Sequence, residues 1–271
     1  MQKNYFKYSI FLLFIQFCCI DAQNMSLVYD FTFKIESDKV ETQKYFLDIT
    51  PEKSIFRTAR RKKSDSLLNT TGIGLAIYTK SVFDLYLTKQ MSPKIFKKQI
   101  VIPIGRDKFF IEINEKLDWK IKNETATIEG IKCQKAEVKY GGRNWIAWFT
   151  LDIPIPEGPY YFHGLPGLIA QIKDVNDEFI FKLSEIKKNN MHSLYETTDG
   201  KEISIIQYKL IMINFFNNPF SAIKARGENA YMDDGNGGYK PMDYLWFTKQ
   251  LQKTLIKYNN VIELNQNLKF E

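Results

Sequence analysis

The chain has 271 residues, of which 44% are hydrophobic and 15% aromatic, and its formal net charge is +7. This apolar content is sufficient for a packed core, so the composition excludes an intrinsically disordered chain. Beyond the first two dozen residues, no segment is apolar over the roughly 20 residues that a membrane-spanning helix needs. The rest of the chain is therefore expected to be soluble or, at most, peripheral to a membrane.

The first residues have the features of a secretory signal peptide. Lys3 and Lys7 precede an apolar run over residues 9–20, and the small residue Ala22 follows that run. The run is too short to be read first as a membrane anchor. We predict that residues 1–22 are a cleaved signal peptide, with an uncleaved anchor as the alternative. The protein is then exported to the periplasm or cell envelope, or secreted.

The cysteines fit this prediction. Cys18 and Cys19 leave with the signal peptide, which makes Cys133 the single thiol of the mature chain and excludes an internal disulfide or a thiolate metal cluster. A lipoprotein modification at Cys18 is disfavoured because Phe17 stands where a small residue is expected. Cys133 follows an alternating apolar pattern that predicts a buried core thiol, and a reactive or partner-linking thiol is the alternative.

A basic stretch comes early in the mature chain. It contains Arg57, Arg60, Arg61, Lys62 and Lys63. In an exported protein such a patch can contact anionic envelope polymers or an acidic partner. Solvated loop and edge-strand charges are the favoured interpretation. No nucleic-acid partner is expected, chiefly because of the export signal.

Most of the mature chain alternates apolar and polar residues with a period of two, which predicts half-buried strands. Because the predicted strands follow one another with short connections, the pattern favours an antiparallel meander. Two glycines at 141–142 predict a hairpin turn. The strands are predicted at 27–35, 45–49, 82–87, 95–102, 108–113, 125–138, 145–149, 168–172 and 179–183.

Helices are expected mainly towards the C-terminus. Pro219 predicts the start of a helix over 220–231, and a second helix is predicted over 241–258. Residues 57–68 fit either a short basic helix or a loop. The glycine-rich segment 233–238 resembles half a calcium-binding loop, but it lacks the glutamate that completes such a site, so a turn is favoured.

One segment carries a distinctive motif. Residues 152–174 read DIPIPEGPYYFHGLPGLIAQIKD, and upstream of them stand Trp119, IEGIKCQKA at 128–136 and GRNWIAW at 142–148. These segments, in this order, resemble the GLPGLI family, which has a Gly-x-x-Cys-x-x-Ala strand, a Gly-Arg-x-Trp-x-Ala-Trp strand and a Pro-x-x-x-Gly-Pro turn before its motif. The motif itself comprises Gly164, Leu165, Pro166, Gly167, Leu168 and Ile169.

The resemblance covers most of residues 25–187. The family is known mainly from exported proteins of the Bacteroidota, and its biochemical activity is not established. The resemblance therefore implies a compartment and a lineage, but no reaction. We predict a single β-rich domain over 23–271, with the family-like core at 25–187 and a more irregular, partly helical part at 188–271.

The motif segment cannot be an ordinary central strand. Pro154, Pro156 and Pro159 remove backbone donors and fix φ. The favoured interpretation is a folding device that closes the sheet, with Leu165, Leu168 and Ile169 as core residues. The alternative is a rigid platform that presents Tyr160, Tyr161, Phe162 and His163 to a ligand or partner.

Arg143 is a second candidate for binding. It is flanked by Trp145 and Trp148, and its guanidinium can stack on an aromatic ring or pair with a buried carboxylate such as Asp152. The candidate binding residues are therefore Arg143, Trp145, Trp148, Tyr160, Tyr161 and His163.

The sequence predicts no catalytic residue, metal site or cofactor. The chain has two histidines, His163 and His192, too few for a histidine-rich metal site, and it contains no G-x-S-x-G motif. His163 precedes a glycine and is read as a loop residue. A dyad of Cys133 and His163 is disfavoured, because a thiol midway along an alternating strand is poorly placed for attack.

The predicted fold is mainly β: a long curved antiparallel sheet with a few C-terminal helices packed on it. Its strand order resembles the half-barrel of periplasmic lipoprotein carriers, as an analogy. On this basis the first functional hypothesis is a non-catalytic module that binds an outer-membrane protein, such as a transporter, or an apolar small molecule or lipid. A carrier needs an apolar concavity lined by residues such as Phe83, Tyr86, Phe109, Trp145 and Trp148.

Two other hypotheses belong to different classes. A hydrolase of envelope or dietary polymers needs convergent polar side chains in a cleft, and the sequence places these near His163 and Arg143. A purely structural envelope protein needs neither a cleft nor an apolar concavity. The sequence leaves the oligomeric state open.

Overall fold

The computed structural model describes residues 24–36, 39–75, 84–102, 104, 107–188, 194–196 and 199–270. The predicted signal peptide at 1–22, with its two cysteines, lies outside the described residues, as do Phe83 and His192.

The protein is mainly β, with 44% strand and 21% helix, as predicted. A 12-stranded sheet has the order β12-β6-β5-β4-β3-β2-β1-β11-β10-β9-β8-β7 and is not closed. Every neighbouring pair is antiparallel except β6 and β12, so the sheet is mixed rather than purely antiparallel. The strands are β1 Met25–Glu36, β2 Lys39–Ile49, β3 Lys53–Thr58, β4 Tyr86–Met91, β5 Lys94–Val101, β6 Lys108–Glu112, β7 Lys120–Ile128, β8 Ile131–Tyr140, β9 Arg143–Thr150, β10 Leu168–Asp174, β11 Phe179–Lys188 and β12 Lys201–Glu202.

The alternation seen in the sequence sorts side chains onto two faces of the sheet. In β1, Leu27, Tyr29, Phe31 and Phe33 are fully buried in the main core. Their neighbours continue the same layer, because Tyr29 pairs with Tyr45 on one side and Phe31 pairs with Phe181 on the other. We call this the inner face. The period of two therefore locates the core correctly.

The hairpin predicted at 141–142 joins β8 to β9 and is confirmed. Gly141 and Gly142 have φ angles of 59° and 81°, a left-handed pair that fits a two-residue turn between twisted strands. A Cβ at Gly141 would lie 2.9 Å from the Cα of Glu263. The turn therefore also packs against residues 258–270, which we call the C-terminal segment.

In the described part of the chain, four α-helices and a small second sheet accompany the main sheet. The helices are α1 Ala59–Thr71, α2 Ile205–Asn217, α3 Ser221–Ala225 and α4 Tyr244–Lys257, and the small sheet pairs β13 Tyr231–Asp233 with β14 Tyr239–Pro241. None of the described helices combines the length and the apolar character needed to cross a membrane.

The helix predictions are partly right. The helix expected over 241–258 is present as α4, which Asp243 caps by accepting from Trp246 N. The helix expected over 220–231 is wrong beyond Ala225, because Gly227 has a φ of 69° and the chain then enters β13. The basic stretch at 57–68 contributes most of α1, a helix rather than a loop.

The basic stretch is less solvated than expected. Arg57 and Arg61 are buried between the sheet and α1, on the face opposite the inner face. Arg57 bridges the buried carboxylates of Asp48 and Asp65, and Arg61 pairs with Asp84 at 2.6 Å. Because these guanidinium groups are paired, the interpretation as a wholly solvated patch, and the alternative of a contact with anionic polymers, do not apply to them.

Two helices pack on the edge region of the sheet. Met212 and Phe215 of α2 join a cluster with Ile102, and Leu251 and Leu255 of α4 pack against it. We call this the helix cluster. It leaves a cavity between the helices and the inner face of the sheet, described below.

Candidate functional site

The segment that joins β9 to β10, residues 151–167, lies across the inner face of the sheet, and we call it the crossing segment. Residues 151–167 form no ladder, as the three prolines predict. The segment is held by its own backbone, since Gly164 N donates to Pro156 O and Leu168 N donates to Ile153 O, both at 2.9 Å. A Cβ at Gly167 would lie 1.9 Å from Thr150 O, so the chain fits only with glycine there.

The aromatic residues of this segment are core residues. Tyr160, Tyr161 and Phe162 are buried, and Phe162 lies 4.7 Å from the Trp145 ring and Tyr161 4.9 Å from the Tyr140 ring, centroid to centroid. These side chains therefore have no exposed surface to present to a partner. Leu165, Leu168 and Ile169 are buried with them. The segment fills the inner face that a carrier of the half-barrel type would leave open.

A buried ion pair fixes the segment to the sheet. Lys89 of β4 is 0% exposed and Glu157 is 5% exposed, and Lys89 Nζ donates to Glu157 Oε2 at 2.8 Å and to Gly158 O at 3.1 Å. Burial lowers the pKa of Lys89, and the carboxylate of Glu157 opposes that shift. The pair is fully enclosed, so it contributes a structural contact rather than a group accessible to substrate.

His163 lies beside this pair and is also largely buried. Its Nδ1 is 2.6 Å from Tyr161 O, and its ring is 4.5 Å from the Phe96 ring. Burial, aided by the positive charge of Lys89, lowers its pKa from 6.5 to about 4. The imidazole is therefore neutral at physiological pH and contributes to packing.

Stability should depend on the protonation of His163. Its folded-state pKa of about 4 lies below the ordinary 6.5, so the unfolded chain binds a proton more readily and stability falls as pH drops from about 6.5 to about 4. The shift corresponds to about 3 kcal/mol. We expect the difference in unfolding free energy between His163→Gln and the wild type to move in favour of the variant by about 2 kcal/mol between pH 7 and pH 4.5, since the full shift is reached only below pH 4. Urea denaturation at pH 7 and pH 4.5 measures it; a difference independent of pH would contradict the assignment.

Arg143 is fully engaged within the protein. Its guanidinium pairs with Asp174 at 3.3 Å and Glu178 at 2.6 Å, and donates to Val261 O at 2.9 Å. It also lies 4.7 Å from the Phe179 ring centroid. The carboxylate and the ring that the sequence led us to expect are thus Asp174 and Phe179, not Asp152. Arg143 ties the C-terminal segment to the β10–β11 hairpin.

The C-terminal segment brings a buried carboxylate to the inner face. Glu263 accepts hydrogen bonds from Tyr140 at 2.9 Å and from Tyr160 at 2.6 Å, and Lys98 Nζ lies 3.4 Å from it. Burial and this carboxylate hold the pKa of both tyrosines well above the ordinary value. Lys98 also donates to Gln266 at 2.9 Å. These contacts form a polar base for the neighbouring cavity.

The cavity has a volume of about 350 Å³ and lies between β5 and the two long C-terminal helices. Apolar side chains form most of its wall, among them Ile100, Met212, Leu251 and Leu255, and the Glu263–Lys98 contacts form its base. A mostly apolar cavity of this size with a few convergent polar groups is typical of a site for a small molecule.

One residue on the cavity lining carries an amide oxygen that no group in the described part of the protein satisfies. Asn267 Oδ1 is buried on this lining and has no hydrogen-bond partner, whereas the unpaired amide of Gln99 lies with its neighbour Tyr86 on the face opposite the inner face. A buried polar atom without a partner costs free energy, and native proteins have few of them. The cavity lining therefore offers one hydrogen-bond acceptor to a bound molecule.

The structure separates the residues that the sequence grouped as a carrier concavity. Trp145 is buried on the inner face, whereas Trp148, three residues along the same strand, points to the other face and is half-buried. Tyr86 is buried on the face of the sheet opposite the inner face, where its hydroxyl donates to Asp65 at 2.8 Å. Phe109 packs against the helix cluster.

The remaining titratable candidates show no catalytic arrangement. Cys133 is a buried free thiol, and burial raises its pKa to about 11, so it is not activated. His163 and Arg143 have no bonding partner in common. Within the described ranges, no three His, Cys, Asp or Glu side chains gather in a way that would hold a metal ion.

Sequence reasoning missed the cavity and its base. Glu263 and Lys98 are separated by 165 residues, and the chain around Glu263 is irregular. α2 was also missed, because apolar residues occupy most positions of IIQYKLIMINFFN and no helical period stands out. Ser204 and Gln207 have the spacing of a capping box, which the structure forms, and this was the signal that could have located the start of α2.

In a comparison with known families, residues 140–171 match the model of Porph_ging, a family of proteins of unknown function. These residues run from the β8–β9 turn through the crossing segment into β10. Comparison with curated proteins gave no significant match.

Solved structures of PNGF-II are similar in fold. Its structures in space groups P21 and C2 each give a TM-score of 0.50, at 14% and 15% sequence identity, and the similarity covers 70% of this chain. The matched region is 33% of the PNGF-II chain, so this protein spans about a third of that length. At such identity the likeness concerns the fold alone.

Proposed function

We propose that the protein is an exported, non-catalytic module of the cell envelope that binds one uncharged amphiphilic molecule in the cavity between the sheet and the C-terminal helices. The signal-like residues 1–22 support export. The motif at 164–169 and its flanking segments support membership of the GLPGLI family of exported Bacteroidota proteins. The observation that carries the binding proposal is the mostly apolar cavity whose lining includes the unsatisfied amide oxygen of Asn267.

The charges at the cavity favour a neutral ligand. Lys98 and Glu263 already face each other at 3.4 Å, and Glu263 also accepts from two tyrosines. An anionic head group would be repelled by the carboxylate of Glu263, and a cationic one would compete with Lys98 for that carboxylate. A hydroxyl or amide head can donate to Asn267 Oδ1, while an alkyl or ring portion contacts Leu251 and Leu255.

Binding of two matched probes tests this proposal. We expect isothermal titration calorimetry to show that octan-1-ol binds more tightly than octanoate, because the octanoate carboxylate is repelled by the carboxylate of Glu263. Leu255→Trp fills the cavity and should weaken octan-1-ol binding by at least about tenfold, or roughly 1.4 kcal/mol. Leu151→Trp, at an exposed site on the crossing segment, serves as the control.

The outcomes separate clearly. Circular dichroism and thermal melting establish that both variants remain folded. Absence of octan-1-ol binding to the wild type, or equal binding to Leu255→Trp, would overturn the cavity as the site. Stronger binding of octanoate would overturn the uncharged ligand.

A further inference from the structure

Helix α2 exposes an apolar row. Ile206 is 69%, Leu210 58% and Ile213 42% exposed. Residues separated by three or four positions lie on the same side of a helix, so these three form one continuous stripe. The opposite side of α2, with Met212 and Phe215, is buried in the helix cluster.

Helix α4 exposes apolar and basic side chains together. Leu245, Trp246 and Ile256 are exposed, as are Lys249 and Lys253. At about 100° per residue these five positions fall within an arc of roughly 100°. One side of α4 therefore combines apolar groups with positive charge.

The two exposed sides belong to one region of the molecule. Both helices bury their other sides in the same helix cluster, and Gln252 of α4 donates to Phe216 O of α2 at 2.9 Å. The exposed sides of both helices are accordingly turned away from that cluster. We call the exposed side chains of α2 and α4 the α2–α4 surface.

The two helices that form this surface contribute only positive charge. The sequences of α2 and α4 contain four lysines and no acidic residue. A second copy of the same surface would place lysines opposite lysines, which disfavours self-association through it. An anionic bilayer complements both features, because its headgroups attract lysines while Leu, Ile and Trp side chains enter the boundary with the acyl chains.

We propose that the α2–α4 surface is a peripheral docking site for an anionic lipid bilayer. Trp246 and the apolar stripe of α2 enter the interfacial region, and Lys249 and Lys253 contact the headgroups. This docking is independent of the cavity ligand, since it uses the exposed sides of the helices and the cavity uses their buried sides.

Vesicle flotation tests the docking. The full protein should float with vesicles of phosphatidylethanolamine and phosphatidylglycerol, float much less with phosphatidylcholine vesicles, and dissociate as salt is raised. Lys249→Glu combined with Lys253→Glu should weaken binding at least about tenfold. Lys132→Glu combined with Lys139→Glu, which changes charge equally at exposed sites on β8, should change it far less. Leu210→Ser should also weaken binding, with an exposed control at Val40→Ser.

Trp246 supplies a direct readout. Its fluorescence should shift to the blue on addition of the anionic vesicles, and the shift should be lost in Trp246→Phe. Absence of flotation by the wild type, equal loss in both lysine double variants, or dimerisation through this surface in sedimentation experiments would each overturn the proposal.

Discussion

Replacing Lys89 by methionine is expected to lower the free energy of unfolding by about 3–5 kcal/mol, because it leaves the Glu157 carboxylate buried without a positively charged partner. The two groups are 0% and 5% exposed and 2.8 Å apart, so water cannot replace the lost ammonium. Chemical denaturation of the wild type and the variant measures the loss.

A double-mutant cycle identifies the cause. Glu157→Gln alone should also be destabilising, since it leaves the ammonium of Lys89 buried and uncompensated. The double variant should recover a large part of the loss, because both charges are then removed. Lys116→Met is the matched control: its partner is Asp118, both are largely exposed, and little change in stability is expected. Additive effects in the cycle would contradict a direct buried pair.

Replacing Phe162 by alanine should cost about 3–5 kcal/mol, the range for truncating a buried phenylalanine. Phe162 is fully buried between Trp145 and Tyr140, in the centre of the layer that covers the inner face. The variant Leu151→Ala, at an exposed residue of the same segment, should change stability by less than about 0.5 kcal/mol.

The comparison distinguishes core packing from surface presentation. Phe162→Leu should lie between the two, since it retains part of the buried volume. Thermal melting follows all three variants. Similar small effects at Phe162 and Leu151 would contradict the burial of the crossing segment.

Alternation predicted much of the sheet, because one buried face imposes a period of two on each strand. Leu27, Tyr29, Phe31 and Phe33 are a direct example. The crossing segment was also predicted as irregular from its prolines. These patterns depend only on residues close together in the sequence, so they can be recognised without knowing which distant residues make contact in the fold.

The contacts of Lys89 and Arg143 could not be predicted, because their partners lie far away in the sequence. Lys89 occupies a position that is polar in the sequence and would ordinarily be solvated; only Glu157, 68 residues later, makes its burial possible. Arg143 was singled out correctly as a residue with special contacts, but its partners in the C-terminal segment are more than 100 residues away. No pattern within either segment identifies such pairings.

Native mass spectrometry of the protein purified from its own envelope, without detergent exchange, tests the proposed cavity ligand most directly. We predict that the wild type carries an additional small, uncharged amphiphile and that Leu255→Trp, purified in the same way, does not. A bare mass for the wild type, or the same adduct on the cavity-filled variant, would contradict the account.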